Sequence, residues 1–253
     1  ATFLPWQLPD AQRLLSDQAH LPHALLIHGL AGTGKRQFAR ALAGALLCEN
    51  PQQRLACGHC QGCTWLAAAT HPDCKHVIPE AVALREGAVV AEDEGQTGAT
   101  TSSSNAKRKP SEELRIEQIR ALEPWYHQAT HRGGWRMVVL YPAEALSVVS
   151  ANALLKALEE PPANTLFLLV SDAPDRLLPT LVSRCQRLAL ALPDQAQCVA
   201  WLDQQGVDRP KDWLAAAGGA PLAALSLAQS GEPVCPSWAQ ELITSLGKGT
   251  LVD

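Results

Sequence analysis

Short apolar runs alternate, over the first three quarters of the chain, with segments in which apolar side chains recur every three or four positions. Five of these runs have the length of buried strands: residues 24–27, 76–78, 136–140, 166–170 and 185–190. The segment that begins at Lys35 has Phe38, Ala41, Leu42 and Ala45 at helical spacing, which predicts an amphipathic helix. Strands that alternate with helices in this way predict an α/β fold with a parallel sheet covered on both faces.

The pattern changes after Pro193, where no further strand-like run follows. Three short helices are predicted in that part of the chain, over residues 196–204, 211–217 and 221–229. We therefore expect an α/β domain over residues 1–192, followed by a small three-helix domain over residues 193–230.

Three further segments complete this outline. Helices are predicted over residues 112–128 and 143–159, and the second ends before Pro161 and Pro162, because proline cannot continue a helix. Residues 85–111 are polar and rich in Ser, Thr and Gly. That composition predicts a surface insertion without packed structure.

Composition excludes several classes of protein. The chain has 253 residues, 47% of them hydrophobic, and a formal net charge of −4. This balance excludes a wholly disordered chain, and no apolar run approaches the roughly 20 residues that cross a bilayer. We therefore expect a cytoplasmic protein without a membrane partner. Affinity for the DNA backbone comes from Lys and Arg, so the acidic balance argues against tight DNA binding by this chain alone.

A glycine-rich segment between the first strand and its helix is the first candidate site. Gly29, Gly32, Gly34, Lys35 and Arg36 fit the pattern of a phosphate loop, G-x-x-x-x-G-K, except that Arg36 stands where Ser or Thr is expected. In such a loop, backbone N–H groups surround the phosphates and the lysine reaches the β and γ oxygens. The alternative is a glycine-rich turn with a solvent-facing lysine, and the strand and helix on either side favour the phosphate loop.

The groups that would hold Mg²⁺ for hydrolysis are missing or displaced. The hydroxyl that normally coordinates Mg²⁺ is replaced by Arg36, and the third strand runs into Tyr141 and Pro142 with no carboxylate before Glu144. We expect that the chain binds ATP or ADP weakly or not at all and does not hydrolyse ATP. The intact Lys35 leaves nucleotide binding open.

Four of the eight cysteines lie within sixteen residues. Cys48, Cys57, Cys60 and Cys63 offer four thiolates in residues 48–63, and two consecutive C-x₂-C steps allow the chain to fold around one tetrahedral ion. We predict a structural Zn²⁺ site, because four cysteine ligands leave no open position for water. An iron–sulfur cluster is the alternative, and His59 is a possible substitute ligand.

Several further motifs point to a known family. They are HALLI at 23–27, THPD at 70–73, NALLKALEEPP at 152–162 and SRC at 183–185. Together with the four cysteines, they resemble the clamp-loader subunits of bacterial DNA polymerase III, over about residues 5–227. The resemblance implies a RecA-like AAA+ phosphate-loop domain with an inserted zinc module, a helical lid domain, and a helical collar domain. Because the chain ends at Asp253, we expect residues 231–253 to be the start of a truncated collar.

Two departures distinguish the branches of this family. Gamma/tau-like subunits resemble active ATPases, with an acidic residue after the third strand and a nucleotide-sensing arginine in the lid. This chain has Pro142 and Leu222 at those places. It is therefore more similar to the delta prime branch, whose members do not hydrolyse ATP, with gamma/tau as the nearest relatives.

The resemblance also implies a role for Arg184 in the SRC motif. In the family, this arginine is an arginine finger that reaches in trans to the ATP of a neighbouring gamma subunit. The implied partners are gamma/tau and delta subunits in a hetero-oligomeric ring, with the sliding clamp and primed DNA bound through the assembled complex.

Two other readings remain open. One is an enzyme, either an ATP-hydrolysing gamma/tau-like subunit or a free-standing phosphate-loop ATPase. The other is a nucleic-acid-binding protein that uses the zinc module.

Overall fold

The computed structural model describes residues 2–86, 109–231, 233–235 and 245. Its centre is a sheet of five parallel strands in the order β2-β3-β4-β1-β5. The strands are β1 (Ala24–His28), β2 (Cys74–Val77), β3 (Arg136–Leu140), β4 (Thr165–Ser171) and β5 (Gln186–Ala189). Each lies within two residues of its predicted place, and the predicted α/β fold with a parallel sheet is confirmed.

Helices cover both faces of the sheet, and three more come after the last strand in the sequence. They are α1 (Leu8–Ser16), α2 (Lys35–Leu46), α3 (Gln61–Ala67), α4 (Glu80–Arg85), α5 (Ile116–Arg120), α6 (Leu122–Tyr126), α7 (Val148–Glu159), α8 (Pro179–Val182), α9 (Gln195–Gln204), α10 (Pro210–Ala216) and α11 (Pro221–Gln229). One face packs on α2 through Phe38 and Leu42, and the other on α7 through Leu154 and Leu158. Strands β3 and β4 are buried along their whole length, as expected for strands covered on both sides.

The helix predicted over residues 112–128 is wrong in its length, because two short helices, α5 and α6, stand in its place. Pro124 lies in α6 and has no N–H to donate to the carbonyl of Arg120. A continuous helix therefore loses a hydrogen bond at the point where the chain turns.

The helix predicted over residues 143–159 begins five residues later, at Val148. Ala143–Ala145 form a short 3₁₀ turn instead. The Ser147 side chain accepts a hydrogen bond from the N–H of Ser150 at 3.2 Å, and this cap fixes the start of α7.

The three helices predicted after Pro193 are all present as α9, α10 and α11. They share a small core that includes Cys198, Leu202, Leu214 and Ala224. The N–H of Leu222, in α11, donates to the carbonyl of Gly32 at 3.0 Å. The small helical unit is therefore in direct contact with the glycine-rich loop.

Two predicted segments fall largely outside the described residues. At the start of the insertion expected at 85–111, the described residues are Arg85, which ends α4, and Glu86, which pairs with Arg36. Residues 87–108 lie outside the described part, as do most of residues 231–253, where the collar is expected. None of the described helices is long and apolar enough to cross a bilayer.

Candidate functional site

The four clustered cysteines converge in space. Cys48 follows α2, Cys57 and Cys60 lie in the next loop, and Cys63 is in α3. Their sulfur atoms all lie within 4.8 Å of one another, with 3.8 Å between Cys48 and Cys60 and 4.0 Å between Cys57 and Cys63. A tetrahedral Zn²⁺ with Zn–S bonds of about 2.3 Å requires sulfur atoms about 3.8 Å apart. The cluster could therefore hold a metal ion of this size.

Backbone N–H groups support the thiolate form of this cluster. The N–H groups of Cys57, Cys60 and Cys63 donate to the sulfur atoms of Cys48, Cys57 and Cys60 at 3.3, 3.3 and 3.4 Å. Burial acts to raise the pKa of the Cys60 thiol, but the hydrogen bond from the Cys63 N–H and neighbouring groups outweigh it and lower this pKa to about 6. Burial raises the pKa of Cys48 and, with the neighbouring thiols, raises that of Cys63 to about 12, so without a metal ion Cys60 is the member of the cluster that is most readily deprotonated. Deprotonated thiols are the form that binds a metal.

Small residues make the cluster geometrically possible. A side chain at Gly62 would place its Cβ 2.7 Å from the carbonyl oxygen of Leu47. Gly58 has a φ of +82°, a conformation that glycine adopts at little cost. His59 lies outside the four-sulfur cluster, and its Nδ1 is 2.9 Å from the carbonyl oxygen of Cys57.

The glycine-rich loop has the shape that its sequence predicts. It connects the C-terminal end of β1 to the first residue of α2, Lys35, and Gly29, Gly32 and Gly34 have φ values of +141°, +77° and +89°. Beside it lies a cleft of about 650 Å³, whose walls include Lys35, Arg36, Tyr141 and Asp172.

Lys35, the residue expected to reach a phosphate, is buried among acceptors of its own chain. Its Nζ lies 2.6 Å from Asp172 Oδ1, 2.8 Å from the carbonyl oxygen of Gly29 and 2.5 Å from that of Leu30. The side chain is 2% exposed. An ammonium has three N–H donors, and three acceptors surround this one.

Arg36 stands where the magnesium-binding hydroxyl is expected, and it too is paired. Its guanidinium forms an ion pair with Glu86, with 2.6 Å between Nη2 and Oε2. The same group lies 5.1 Å from the ring centroid of Tyr141. Burial, and then the nearby Arg40, lower the pKa of Arg36.

Glu144, the first carboxylate after β3, is engaged by the loop after β4. Its Oε1 accepts a hydrogen bond from the Asp172 N–H at 3.1 Å, and its Oε2 is buried without a partner. Glu144 therefore lies beside Asp172. In the sequence it follows Pro142 and does not come directly after β3, where a metal-binding carboxylate is expected.

The N-terminal segment closes over the loop from the other side. Gln7 Nε2 donates to the carbonyl of Gly34 at 2.9 Å, and Trp6 Nε1 donates to that of Thr33 at 3.1 Å. A Cβ at Gly34 would lie 2.5 Å from a methyl carbon of Leu4. The loop is thus held by contacts within the chain from both sides.

Arg184 and this loop lie at opposite ends of two neighbouring strands, β1 and β5. The loop follows the C-terminal end of β1, whereas Arg184 precedes the N-terminal end of β5, and Leu25 is paired with Gln186. At about 3.3 Å per residue, the length of β1 separates Arg184 from the loop by more than about 10 Å. The predicted site residues therefore form three separate groups: the cysteines, the loop and Arg184.

The Arg184 side chain is held at the surface by two contacts. Its Nη1 donates to the carbonyl of Thr180 at 2.8 Å, and its Nη2 lies 2.6 Å from Glu159 Oε1. The side chains of Arg184 and Glu159 are 35% and 50% exposed. The guanidinium is thus oriented and still open to a partner.

Sequence reasoning missed three acidic residues that contact the predicted sites: Glu86, Glu159 and Asp172. Asp172 had a signal, because it directly follows a buried strand at the sheet edge where ligands bind. Glu159 is the first glutamate of the LEEPP stretch in the family motif. Glu86 carried no signal, since it lies at the start of a polar segment.

Comparisons with known proteins show which family the chain belongs to. A model of the family described as "DNA polymerase III, delta subunit" matches residues 10–194. DNA polymerase III subunit delta' of Pseudomonas aeruginosa is 39% identical over 231 residues, which cover 90% of this chain and 62% of the relative. The Escherichia coli subunit delta' is 37% identical over 233 residues, covering 89% of this chain and 60% of the relative. The chain thus spans about three fifths of the length of these curated relatives.

A solved structure supports the fold. The crystal structure of a DNA polymerase III gamma subunit-related protein from Thermotoga maritima aligns with a TM-score of 0.51 and 19% identity, over 83% of this chain and 57% of that one. The family match covers well over half of the chain, and the two curated relatives described above carry one name. The chain therefore belongs to the DNA polymerase III delta subunit family, and the relatives that it resembles are those named subunit delta'.

Proposed function

We propose that the chain is the major part of a delta prime clamp-loader subunit, which helps to place the sliding clamp on primed DNA. In this proposal it does not hydrolyse ATP itself but supplies Arg184 to a nucleotide held by a neighbouring gamma/tau-like subunit. The names of its relatives support the role in replication. One observation supports the lack of hydrolysis and the role of Arg184. Both cations of the phosphate loop are paired within the chain, whereas Arg184 is partly exposed at the opposite end of the strands.

The state of the loop supports the lack of hydrolysis. Lys35 has no donor left for a phosphate oxygen, and Arg36 replaces the hydroxyl that would bind Mg²⁺. Glu144 already accepts a hydrogen bond from Asp172. Hydrolysis needs these groups for the metal and the phosphate at the same time.

The position of Arg184 supports an action in trans. An arginine far from its own phosphate loop cannot stabilise a phosphate there, but its exposed guanidinium could reach one in another subunit. A guanidinium delivered in this way stabilises the charge on the transferred phosphate, an effect of about 10³–10⁵ in rate in well-studied cases.

The remaining features fit a subunit of a larger assembly. We propose a structural zinc site at the four cysteines, an AAA+ domain over residues 1–192, a lid over residues 193–230 and a collar that begins at residue 231. Gamma/tau and delta subunits would be its direct partners, in the cytoplasm. The clamp and DNA would be met through the complex.

The test is Arg184→Ala in the full-length subunit, reconstituted with gamma/tau and delta subunits, the clamp and primed DNA. We expect DNA-stimulated ATP hydrolysis to fall by at least about 100-fold at the gamma site that faces this subunit, because an arginine finger contributes about 10³–10⁵. Arg176→Ala, which removes an exposed arginine in the loop after β4, is the matched control and should have no effect. Unchanged DNA-stimulated ATP hydrolysis with Arg184→Ala would contradict the proposal.

The alternative enzyme reading has its own measurement. The glycine loop and Lys35 would favour a phosphate-loop ATPase if the isolated chain hydrolysed ATP. Such turnover, abolished by Lys35→Ala, would replace the proposal of a non-hydrolysing subunit.

A further inference from the structure

Asp172 directly follows β4 and forms an ion pair with the lysine of the phosphate loop. We propose that Asp172 takes the place of a nucleotide phosphate at Lys35, and that this residue decides whether the loop accepts a di- or triphosphate. The inference rests on the proposed function and deepens it, because it names the residue that keeps nucleotide out of this site.

All three donors of the lysine are in use. An ammonium group has three N–H bonds, and Lys35 Nζ has acceptors at 2.6 Å in Asp172, 2.8 Å in Gly29 and 2.5 Å in Leu30. With 2% of the side chain exposed, water offers few alternative partners. A phosphate oxygen must therefore displace one of these three acceptors.

Asp172 is the acceptor that a phosphate would have to displace. The other two are backbone carbonyls of the loop itself, whereas the Asp172 side chain is 34% exposed and has space to rotate outwards. Its backbone is fixed: the Asp172 N–H donates to Glu144 at 3.1 Å and the Ala173 N–H donates to Ser171 Oγ at 3.1 Å. These two hydrogen bonds hold the backbone from which the carboxylate reaches Lys35.

The two cations of the loop itself are each paired with an acidic residue, Lys35 with Asp172 and Arg36 with Glu86. Arg40 of α2 is a further cation in the wall of the cleft, so the proposal concerns the acceptor at Lys35 and not the charge of the whole cleft. Burial and then Asp172 raise the pKa of Tyr141, which lines the same cleft. An incoming diphosphate would meet the carboxylate of Asp172 instead of an unpaired ammonium. The two negative charges would repel each other.

Removal of the carboxylate charge should reverse this situation. Asp172→Asn leaves Lys35 as a buried cation without its counter-charge, which is a costly state. A diphosphate that reaches the loop would then restore the ion pair. The backbone donors of the loop, with its three glycines at positive φ, would be available to the same ligand.

The experiment is calorimetric titration of this chain with ADP and, separately, with inorganic pyrophosphate. We expect Asp172→Asn to bind both ligands at least tenfold more tightly than the unchanged chain. The double variant Asp172→Asn/Lys35→Met should lose this gain. Asp175→Asn, a change of an exposed carboxylate three residues further on, is the matched control and should leave the affinity unchanged.

Two results would overturn the inference. One is an Asp172→Asn affinity equal to that of the unchanged chain. The other is a gain that persists in the Lys35→Met background, because the effect would then be a general loss of negative charge. If Asp172→Asn lowers the melting temperature, Asp172→Ser is used, which keeps a hydroxyl acceptor and must give the same gain.

These outcomes are separate from those of the proposed function. The Arg184 experiment reads ATP hydrolysis by a neighbouring subunit, whereas the Asp172 experiment reads binding of diphosphates to this chain. If the Arg184 effect is absent and the Asp172 gain is present, the proposed function fails alone. The reverse result rejects only the role of Asp172.

Discussion

At the scale of single residues, the contact between Arg184 and Glu159 joins two motifs that are separate in the sequence. Arg184 belongs to the SRC motif and Glu159 ends α7, and their side chains meet at 2.6 Å. The Thr180 carbonyl holds the other side of the guanidinium. Glu159 is therefore a candidate positioning residue, which would keep Arg184 in the orientation that its proposed action in trans requires.

We expect Glu159→Ala to lower Arg184-dependent ATP hydrolysis in the reconstituted loader by up to about fivefold, the factor that corresponds to about 1 kcal/mol for an exposed ion pair. Glu160→Ala, a change of the exposed neighbour, is the matched control and should leave the rate unchanged. In an Arg184→Ala background, Glu159→Ala should have no further effect. An equal loss with and without Arg184 would contradict a positioning role.

At the scale of elements, the cysteine cluster depends on the packing between the end of α2 and the start of α3. Gly62 approaches the Leu47 carbonyl so closely that an added Cβ would lie 2.7 Å from that oxygen. Moving a backbone carbonyl has a high energetic cost. A side chain at Gly62 would therefore displace Cys63, the next residue in α3. The geometry of the four cysteines is therefore coupled to the packing of the two helices.

We expect one zinc ion per chain in the purified protein and a lower melting temperature after removal of the zinc by a chelator, because metal binding adds to folding free energy. Gly62→Ala should reduce both the zinc content and the melting temperature. Gly44→Ala is the matched control in α2, since its Cβ would be 3.7 Å from Ala56, an ordinary contact. That change should leave the zinc content unchanged.

Metal analysis decides between the possible ions. Iron with acid-labile sulfide, and a visible absorption band, would indicate the iron–sulfur alternative. Gly62→Ala protein with full zinc content would contradict the packing argument.

At the scale of the whole molecule, the charge balance limits what the chain does alone. The formal net charge is −4, and the two loop cations are already paired with acidic residues. Affinity for the DNA backbone arises when Lys and Arg neutralise phosphates and release counterions. The proposal that DNA is met through the assembled complex agrees with this balance.

We therefore expect no salt-sensitive binding of primed DNA by the isolated chain. Fluorescence anisotropy with a labelled primer-template, at about 50 and 200 mM salt, measures this directly, because a protein with many phosphate contacts loses about 10³–10⁵ in affinity over that range. The reconstituted loader is the positive control. Strong, salt-dependent binding by the isolated chain would favour a nucleic-acid-binding zinc module instead.

Local patterns along the chain determine much of the fold of this protein. Alternating apolar runs predicted the five strands within two residues, because a strand covered on both faces must be apolar along its length. The glycine-rich loop around Lys35 and the cluster of four cysteines could likewise be predicted, because each is formed by residues that lie close together in the sequence. Helix boundaries follow less directly from the apolar pattern, because Pro124 and the cap at Ser147 shift them through single hydrogen bonds.

Only the tertiary structure decided how the charged residues are paired. The ion pairs of Lys35 with Asp172, of Arg36 with Glu86 and of Arg184 with Glu159 each join residues from different elements. Spacing along the chain carries no information on such pairs, because the packing of strands and helices brings together residues that are 25 or more positions apart in the sequence. The sequence by itself therefore determined which groups could bind a phosphate or a metal. The fold determined which of those groups already have a partner within the chain.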